Sequence, residues 1–196
     1  MKMEARKKEL EGVEKKSQSE KEEYAFVLDY LPYGYPFEKN MIPIVQAIGK
    51  DSLTLLEIVP RKGAKFELKE KIYIGDGKRD KVQYIKGRLL REKLTETAKI
   101  QLNEIVEEHV KENEQKYVEF FNTAQAINTR LHQFELLPGL GKKHTKAILN
   151  AREERPFTSF EDIKKRIANL PDPQNIIKKR IIEELTEIKR QNLFIK

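Results

Sequence analysis

The stretch LPGLGKKHTKAI, residues 137–148, places two of the chain's nine glycines one residue apart and follows them with lysines. Apolar residues at helical spacing stop before this stretch and resume within it, which predicts a tight connection between two helices. Such a connection needs positive φ or a close backbone approach, and glycine allows both. The sequence therefore predicts a helical hairpin over residues 137–142.

The lysines that follow the hairpin indicate a binding surface. Lys142, Lys143 and Lys146 fall in the first turn and a half of the next helix, where the helix dipole disfavours positive charge. Unsatisfied amides at a helix N-terminus bind phosphate oxygens. We therefore interpret the hairpin as a phosphate-binding element, with a purely structural helix hairpin as the alternative.

Two segments resemble the helix-hairpin-helix motif of nucleic-acid-binding proteins: PGLGK at 138–142 and PFTSFEDI at 156–163. The resemblance covers residues 124–190. In that motif the hairpin amides contact a backbone phosphate without reading bases. The resemblance implies this role for Gly139, Leu140, Gly141 and the adjacent Lys142.

An internal repeat lies about thirty residues further along, where residues 167–172 align with the first hairpin. Asn169 can adopt positive φ, but Pro171 has no N–H to donate and Asp172 would repel a phosphate. We therefore expect only the first hairpin to bind, and the second to bury the apolar face of the first. The candidate core residues of this second unit are Ile176, Ile177, Ile181, Ile182 and Leu185.

The first half of the chain is predicted to be a β-domain over residues 24–94. Short runs rich in Val, Ile, Tyr and Phe alternate with turn-type sequences, which is typical of antiparallel strands. The predicted strands cover 24–31, 42–48, 52–60, 71–75 and 82–90. Five such strands favour a small closed barrel, OB-like or SH3-like. The fold class predicted for the whole chain is α+β, a barrel followed by an all-α helix-hairpin-helix domain.

Charge along the chain is unevenly distributed around a net +7. Residues 1–23 carry seven basic and seven acidic side chains without an apolar stripe, and we interpret them as a charged tail. Residues 61–93 carry twelve Lys or Arg against five acids, which favours an acidic partner for the barrel. The barrel residues predicted to bind nucleic acid are Lys78, Arg79, Lys81, Lys86 and Arg88.

From Thr95 the apolar spacing becomes helical, which predicts an acidic connecting helix within residues 95–123. This helix is expected to reach Phe120 or Phe121. A second stripe then continues at spacings of three and four and predicts more helix up to the hairpin. The members of that stripe are Ala124, Ile127, Leu131 and Phe134.

The loop from Tyr30 to Phe37 concentrates four aromatic residues around two prolines. Aromatic rings beside a basic barrel can stack on exposed bases, and Tyr33 and Tyr35 are the candidates here. Packing of these rings against the barrel or the long helix is the alternative. The sequence leaves both interpretations open.

Other chemistries have weaker support in the sequence. The chain contains no cysteine, which excludes disulfides and thiolate metal sites, and the three histidines lack ligand spacing. Asp76 and Asp80 fit a turn better than a metal site. Lys143 and Asp162 lie near the spacing of a DNA glycosylase, although a helix-capping role also explains Asp162. We expect no cofactor and no catalysis.

The part of the chain from residue 24 to residue 190 contains the segments YAFVLDYLPYG, IVQAIGKDSLTLLEIVP and EKIYIGDGKRDKVQYIKGRL. These segments resemble the archaeal domain of unknown function 655 family, taken to be RNA-binding proteins. The resemblance alone favours RNA over DNA. We expect a cytoplasmic, non-membrane protein that binds nucleic acid. The alternative is an adaptor for a ribosomal or transcription-machinery protein, docked on an acidic face formed by Glu104, Glu107, Glu108 and Glu112.

Overall fold

The computed structural model describes residues 22–36, 38 and 41–195. Within them, a five-stranded sheet is followed by five α-helices, so the α+β prediction is confirmed. The strands of the sheet are β1 (Tyr24–Leu31), β2 (Ile44–Gly49), β3 (Leu55–Pro60), β4 (Lys71–Tyr73) and β5 (Val82–Arg88). The helices are α1 (Glu96–Glu112), α2 (Glu114–Thr123), α3 (Lys142–Glu154), α4 (Phe160–Arg166) and α5 (Pro173–Thr186).

The sheet is antiparallel, with strand order β4-β1-β2-β3-β5, and all five predicted strands are present. It is curled into a half-barrel and is not closed, because β4 and β5 form its two edges. The prediction of a closed barrel is therefore wrong in that respect. With only three residues, β4 is short, and an ion pair between Lys81 and Glu70 bridges the segments that precede the two edge strands.

Both faces of the central strands are buried. Val27 and Leu28 are both 0% exposed, because neighbouring residues of a strand point to opposite faces and both faces are covered here; the register shifts between Val27 and Asp29. Val27 packs inside the half-barrel with apolar side chains of every strand. Leu28 packs on the other face, which is covered by helices.

A continuous apolar core joins the sheet to the helices. Leu28 and Ile48 of the sheet belong to the same buried cluster as Leu102 of α1 and Ile177 of α5. The boundary predicted at residue 94 therefore runs through one core, and the division into domains stays a prediction. The predicted core residues of α5 are buried, except that Ile182 is partly exposed.

The acidic helix begins where the sequence predicts. The Thr95 hydroxyl accepts the Ala98 amide at 3.0 Å and donates to Asp29 Oδ2 at 2.6 Å, which caps α1 and ties it to β1. The helix does not continue without interruption to residue 120, because Asn113 separates α1 from α2. The Asn113 side chain donates to the His109 carbonyl at 2.8 Å and so satisfies an orphan group at the helix end.

The helix predicted over residues 124–136 is wrong. The chain forms a small hairpin instead, of β6 (Ala126–Asn128) and β7 (Leu131–His132), followed by a 3-10 turn over Gln133–Leu136. Asn128 Oδ1 accepts the amides of Arg130 and Leu131 at 2.8 and 3.0 Å. An asparagine side chain that bonds its own backbone in this way competes with helix formation.

The N-terminal boundary of the fold also differs from the prediction. Residues 1–21 of the predicted charged tail lie outside the described residues, but Glu22 belongs to the fold. Its carboxylate accepts the Ser52 amide at 2.6 Å and the Asp51 amide at 3.1 Å. Glu22 therefore caps the β2–β3 turn.

A buried ion pair within α5 fixes the segment that follows the helix. Arg180 is 5% exposed and Glu184 is 0% exposed. Glu184 accepts the Arg180 Nε at 2.7 Å and also the three amides of residues 193–195, at 2.7–3.0 Å. Arg180 in turn donates to the Leu136 carbonyl at 2.9 Å and the Gln191 carbonyl at 2.5 Å. Sequence analysis did not identify this cluster, because no motif marks it.

Across the described residues, every helix is too short or too polar to cross a lipid bilayer.

Candidate nucleic-acid interface

The turn that leads into α3 is built around Gly139 and Leu140. Gly139 has φ of +81°, the positive φ predicted for this turn, which glycine adopts without a Cβ clash. The Leu140 amide donates to the Leu137 carbonyl at 3.2 Å, and the Leu140 side chain is buried in the core. The predicted phosphate contact by the Leu140 amide is therefore not supported, since the turn itself uses that amide.

Gly141 is the N-cap of α3 and supplies no side chain to the helix end. The first hydrogen bond of the helix runs from the Thr145 amide to the Gly141 carbonyl at 2.9 Å. The amides of Lys142, Lys143 and His144 precede this bond and have no acceptor within the helix. A Cβ on Gly141 would meet no atom within 4 Å, so there is open space beside this N-cap.

Three exposed lysines surround this helix end. Lys142, Lys143 and Lys146 have no carboxylate within ion-pair distance in the described part of the chain. Other lysines nearby are neutralised: Lys164 pairs with Asp172 at 3.1 Å and Lys165 with Glu161 at 3.6 Å. The end of α3 therefore combines free amides with unpaired positive charge.

The second hairpin has the same arrangement, but a carboxylate of the protein itself occupies its helix end. Asn169 has φ of +59°, as predicted, and Asp172 is the N-cap of α5. Asp172 Oδ2 accepts the Asn175 amide at 3.0 Å. Because α5 starts one residue later than the repeat offset requires, Asp172 corresponds to Gly141 and not to Lys142. The predicted alignment is corrected at this position.

The two hairpins contact each other. A Cβ on Gly139 would lie 3.8 Å from Pro171 Cγ. His144 Nε2 lies 3.2 Å from the Asn169 carbonyl oxygen. The turns are therefore neighbours on one surface, and His144 links them.

Asp162, the acid of the glycosylase alternative, is held by structural contacts. Burial acts to raise the pKa of Asp162, but the Thr158 amide and the Arg166 guanidinium outweigh it and hold the pKa below its ordinary value. The Asp162 amide donates to Ser159 Oγ at 3.0 Å, so Ser159 is the N-cap of α4, while the Asp162 carboxylate accepts the Thr158 amide at 3.2 Å and not the N-cap amide of a full capping box. A second ion pair joins the carboxylate to Arg155 at 3.2 Å.

The basic residues predicted on the barrel are only partly free. Lys81 pairs with Glu70, and Lys86 pairs with Glu57 at 3.1 Å. Arg79 donates to the Gly75 carbonyl at 2.7 Å and braces the β4–β5 loop. Lys78 and Arg88 are exposed and have no ion-pair partner among residues 22–36, 38 and 41–195. Those two residues are the ones available to a ligand.

The sequence left base stacking and packing open for the aromatic loop, and its two candidate tyrosines differ in this respect. The Tyr35 hydroxyl donates to Glu57 Oε1 at 2.9 Å and accepts Gln46 Nε2 at 3.2 Å. Burial is the main cause that raises the pKa of Tyr35 well above its ordinary value. Tyr35 therefore packs in the fold, whereas Tyr33 is 77% exposed and open to a ring-stacking partner.

The predicted acidic face is partly used inside the fold. Glu104 pairs with Lys69 and Glu107 pairs with Lys178. Glu108 and Glu112 line a cavity of about 280 Å³. Nowhere in the described residues do three His, Asp or Glu side chains converge as metal ligands.

The stability of the turn that precedes the first hairpin is expected to depend on pH. His132 Nδ1 accepts the Phe134 amide at 3.1 Å and caps the turn that precedes the hairpin. Burial, and then the Arg152 guanidinium, lower the pKa of His132 below its ordinary value. The unfolded chain therefore binds the proton more tightly. The contribution of His132 to stability is full above about pH 6.5 and is lost as the pH falls through its folded pKa.

We expect the free energy of unfolding to fall between about pH 7.5 and about pH 5.5, measured by urea titration. The free energy of unfolding of the His132→Asn variant should fall less over this range, because an asparagine oxygen accepts the same amide without titrating. His109, whose pKa burial also lowers, should account for part of the remaining fall. An unchanged fall in His132→Asn would contradict this assignment.

Comparison with known proteins finds a family, a relative and a solved structure to which this chain is similar. A family model described as a protein of unknown function (DUF655) matches residues 21–196. The uncharacterized protein MJ0038 of Methanocaldococcus jannaschii is 45% identical over 182 residues, covering 92% of this chain and 82% of that protein. The crystal structure of Af1531 from Archaeoglobus fulgidus matches with a TM-score of 0.78 and 44% identity, over 89% of this chain and 100% of the other.

Proposed function

The chain belongs to the DUF655 protein family, and on that premise we propose that it is a non-catalytic nucleic-acid-binding protein that grips backbone phosphate. One observation carries the proposal: the N-terminus of α3 has no side-chain cap and is surrounded by three exposed lysines that form no ion pair with the described residues. Such an end offers amide donors and positive charge to one anionic oxygen. Backbone phosphate is the abundant anion that an extended basic surface also attracts.

The finer fold assignments belong to the same proposal. We assign the half-barrel as OB-like, supported by its five antiparallel strands and by the partial opening that this class of barrel shows. We assign residues 133–186 as two helix-hairpin-helix units, supported by positive φ at Gly139 and Asn169, each shortly before a helix. The first unit is atypical, because a 3-10 turn stands in place of its first helix.

The basic half-barrel contributes the rest of the proposed surface. Lys78 and Arg88 supply charge that no described residue pairs, and the exposed ring of Tyr33 supplies a stacking surface for an unpaired base. RNA is preferred over DNA on the family resemblance alone. A cysteine-free, highly charged chain suits the cytoplasm, which is the location we propose.

The adaptor hypothesis has less support. It needs an acidic face, but Glu104 and Glu107 are neutralised by lysines of the same chain. The glycosylase hypothesis needs a free acid, but Asp162 accepts hydrogen bonds from two arginines. We therefore prefer nucleic-acid binding to both.

The test is the salt dependence of binding, measured by fluorescence anisotropy with a labelled single-stranded RNA. If about five phosphates of this single strand are neutralised, log affinity should fall against log salt with a slope of roughly −3.5. The double variant Lys142→Gln/Lys143→Gln should flatten the slope by about 1.4 and lower affinity about 25-fold at about 0.1 M salt.

The matched control removes two exposed lysines from the acidic helices, Lys111→Gln/Lys116→Gln, with the same change in net charge. It should keep the wild-type slope. Equal slopes in the two double variants would show that the hairpin lysines do not meet phosphates. A wild-type protein that binds no nucleic acid at low salt would refute the proposed function.

A further inference from the structure

A cavity of about 280 Å³ lies between the half-barrel and the C-terminal half of α1. Strand β1, the β2–β3 turn, the segment before β4 and the last turns of α1 all contribute to its walls. The cavity therefore forms only in the folded chain. No residue of the nucleic-acid interface described above lines it, so a ligand of this cavity would occupy a second site.

The lining divides into an apolar part and a charged part. Leu53 and Ile105 belong to the core, at 3% and 4% exposure, and Phe26 packs against the same core cluster. Glu108 and Glu112 are exposed and lie one turn apart on α1. A molecule in the cavity would therefore contact carbon on its inner side and carboxylates on the side that is open to solvent.

The charge around the cavity is predominantly negative. The lining contains two lysines and three carboxylates, and one of the lysines, Lys69, pairs with a further carboxylate, that of Glu104. Lys69 also attracts Glu108 through space, but its ammonium group is held by Glu104. Like charges at i and i+4, such as Glu108 and Glu112, repel each other on a helix. A bound cation would lower that repulsion.

A buried nitrogen lines the same cavity. His109 Nε2 is shielded from solvent and has no hydrogen-bond partner among the described residues, which costs stability until a partner arrives. Burial, and then Lys116, lower the pKa of His109 against the opposing effect of Glu112, so the ring is neutral at pH 7. A neutral imidazole with its proton on Nδ1 accepts a hydrogen bond at Nε2.

We propose that this cavity binds a small organic cation, an amine, amidine or guanidine that has an apolar body and N–H donors at its charged end. A cavity of about 150 Å³ holds one benzene molecule, so the volume of about 280 Å³ here accommodates about ten non-hydrogen atoms. A metal ion fits less well, because no three His, Asp or Glu side chains of the described residues converge as ligands. The proposal is independent of nucleic-acid binding.

The experiment compares three probes of nearly the same size and shape: benzamidine, a cation; benzamide, which is neutral; and benzoate, an anion. Each is titrated into the full-length ¹⁵N-labelled protein, and amide chemical shifts are followed by NMR. Benzamidine should bind with a Kd of about 1 mM, as expected for about nine non-hydrogen atoms, and should shift the amides of Lys50, Leu53 and Glu112. Benzamide and benzoate should bind at least about fivefold more weakly, the factor for one charge about 4 Å from another in water.

The double variant Glu108→Gln/Glu112→Gln keeps the shape of the lining and removes two of its charges. It should weaken benzamidine binding about tenfold or more and change benzamide binding by less than about twofold. The matched control, Glu119→Gln/Glu153→Gln, removes two exposed acids that do not line the cavity, with the same change in net charge. It should keep the affinity for benzamidine within about twofold, and thermal melts verify that both variants fold.

Four outcomes would overturn the proposal. Equal binding of the three probes would show that the carboxylates select no cation, and shifts confined to residues outside the lining would place the ligand elsewhere. Equal weakening in the two double variants would show that only net charge acts. An absence of shifts at about twenty times the expected Kd would mean that the cavity takes up water only. Nucleic-acid binding has its own test in the salt titration, so either idea can fail without the other.

Discussion

Glu184→Ala is expected to lower the free energy of unfolding by about 3–5 kcal/mol, the usual cost of breaking a buried ion pair from one side. The substitution strands the Arg180 guanidinium and leaves three amides of residues 193–195 without their acceptor. For a chain of this length the melting temperature should fall by roughly 6–20 °C. Urea unfolding followed by circular dichroism measures the change.

The neighbouring acid provides the control. Glu183 pairs with Lys189 at 2.9 Å, is partly exposed and approaches Arg180 only to 3.9 Å. Glu183→Gln should therefore cost less than about 1 kcal/mol. If the two variants lost equal stability, the buried hydrogen bonds of Glu184 would not be the reason for its effect.

Gly141→Asp is expected to weaken nucleic-acid binding by several hundredfold while it raises stability. It copies into the first hairpin the cap that Asp172 gives the second. The new carboxylate would accept an amide of the first turn and gain from the helix dipole, for about 0.5–1 kcal/mol of stability. The same amide would be lost to phosphate, at about 1.5–3 kcal/mol, and the added charge would repel the ligand.

Gly141→Asp is informative because stability should rise while binding affinity falls. Aspartate suits an N-cap position. A proline, which would remove the Gly141 amide, does not fit here, because the φ of −122° at Gly141 lies outside the range that a proline ring allows. Gly141→Asn caps the helix without a charge and should weaken binding about ten- to a hundredfold, several times less than Gly141→Asp. A Gly141→Asp protein that melts higher and binds like wild type would show that the end of α3 is not a phosphate site.

The strands were predictable because their signals are local. Runs of β-branched and aromatic residues fall between turn sequences, and each observed strand begins and ends within about three residues of its prediction. The start of α1 was predictable for the same reason, since a capping residue precedes an apolar stripe. Closure of the barrel was not predictable from the sequence, because closure depends on how far strand β4 extends toward strand β5.

The failure over residues 124–136 has a physical cause. Spacings of three and four also arise when short strands, a turn and a 3-10 segment follow one another. Asn128-Thr129-Arg130 was the available signal, because an asparagine that bonds the backbone two residues on forms a turn. The apolar stripe outweighed that signal in the sequence interpretation.

The candidate site was predictable in part. The hairpin, its glycines and its lysines follow from local sequence. The internal bond of the Leu140 amide, the packing of Tyr35 and the neutralisation of Lys81 and Lys86 depend on partners distant in the chain or on the path of a turn. Those contacts require the folded arrangement and leave no pattern in the sequence.

The shared core also sets the order in which the chain can fold during synthesis. Lys178 of α5 pairs with Glu107 of α1, 71 residues earlier, and Arg91 donates to the Glu184 carbonyl, 93 residues later. At a synthesis rate of roughly 5–20 residues per second, α1 precedes its α5 partner by about 4–14 s. During that interval the apolar face of α1 that α5 covers stays uncovered, so the nascent chain should depend on chaperones more than the finished protein does.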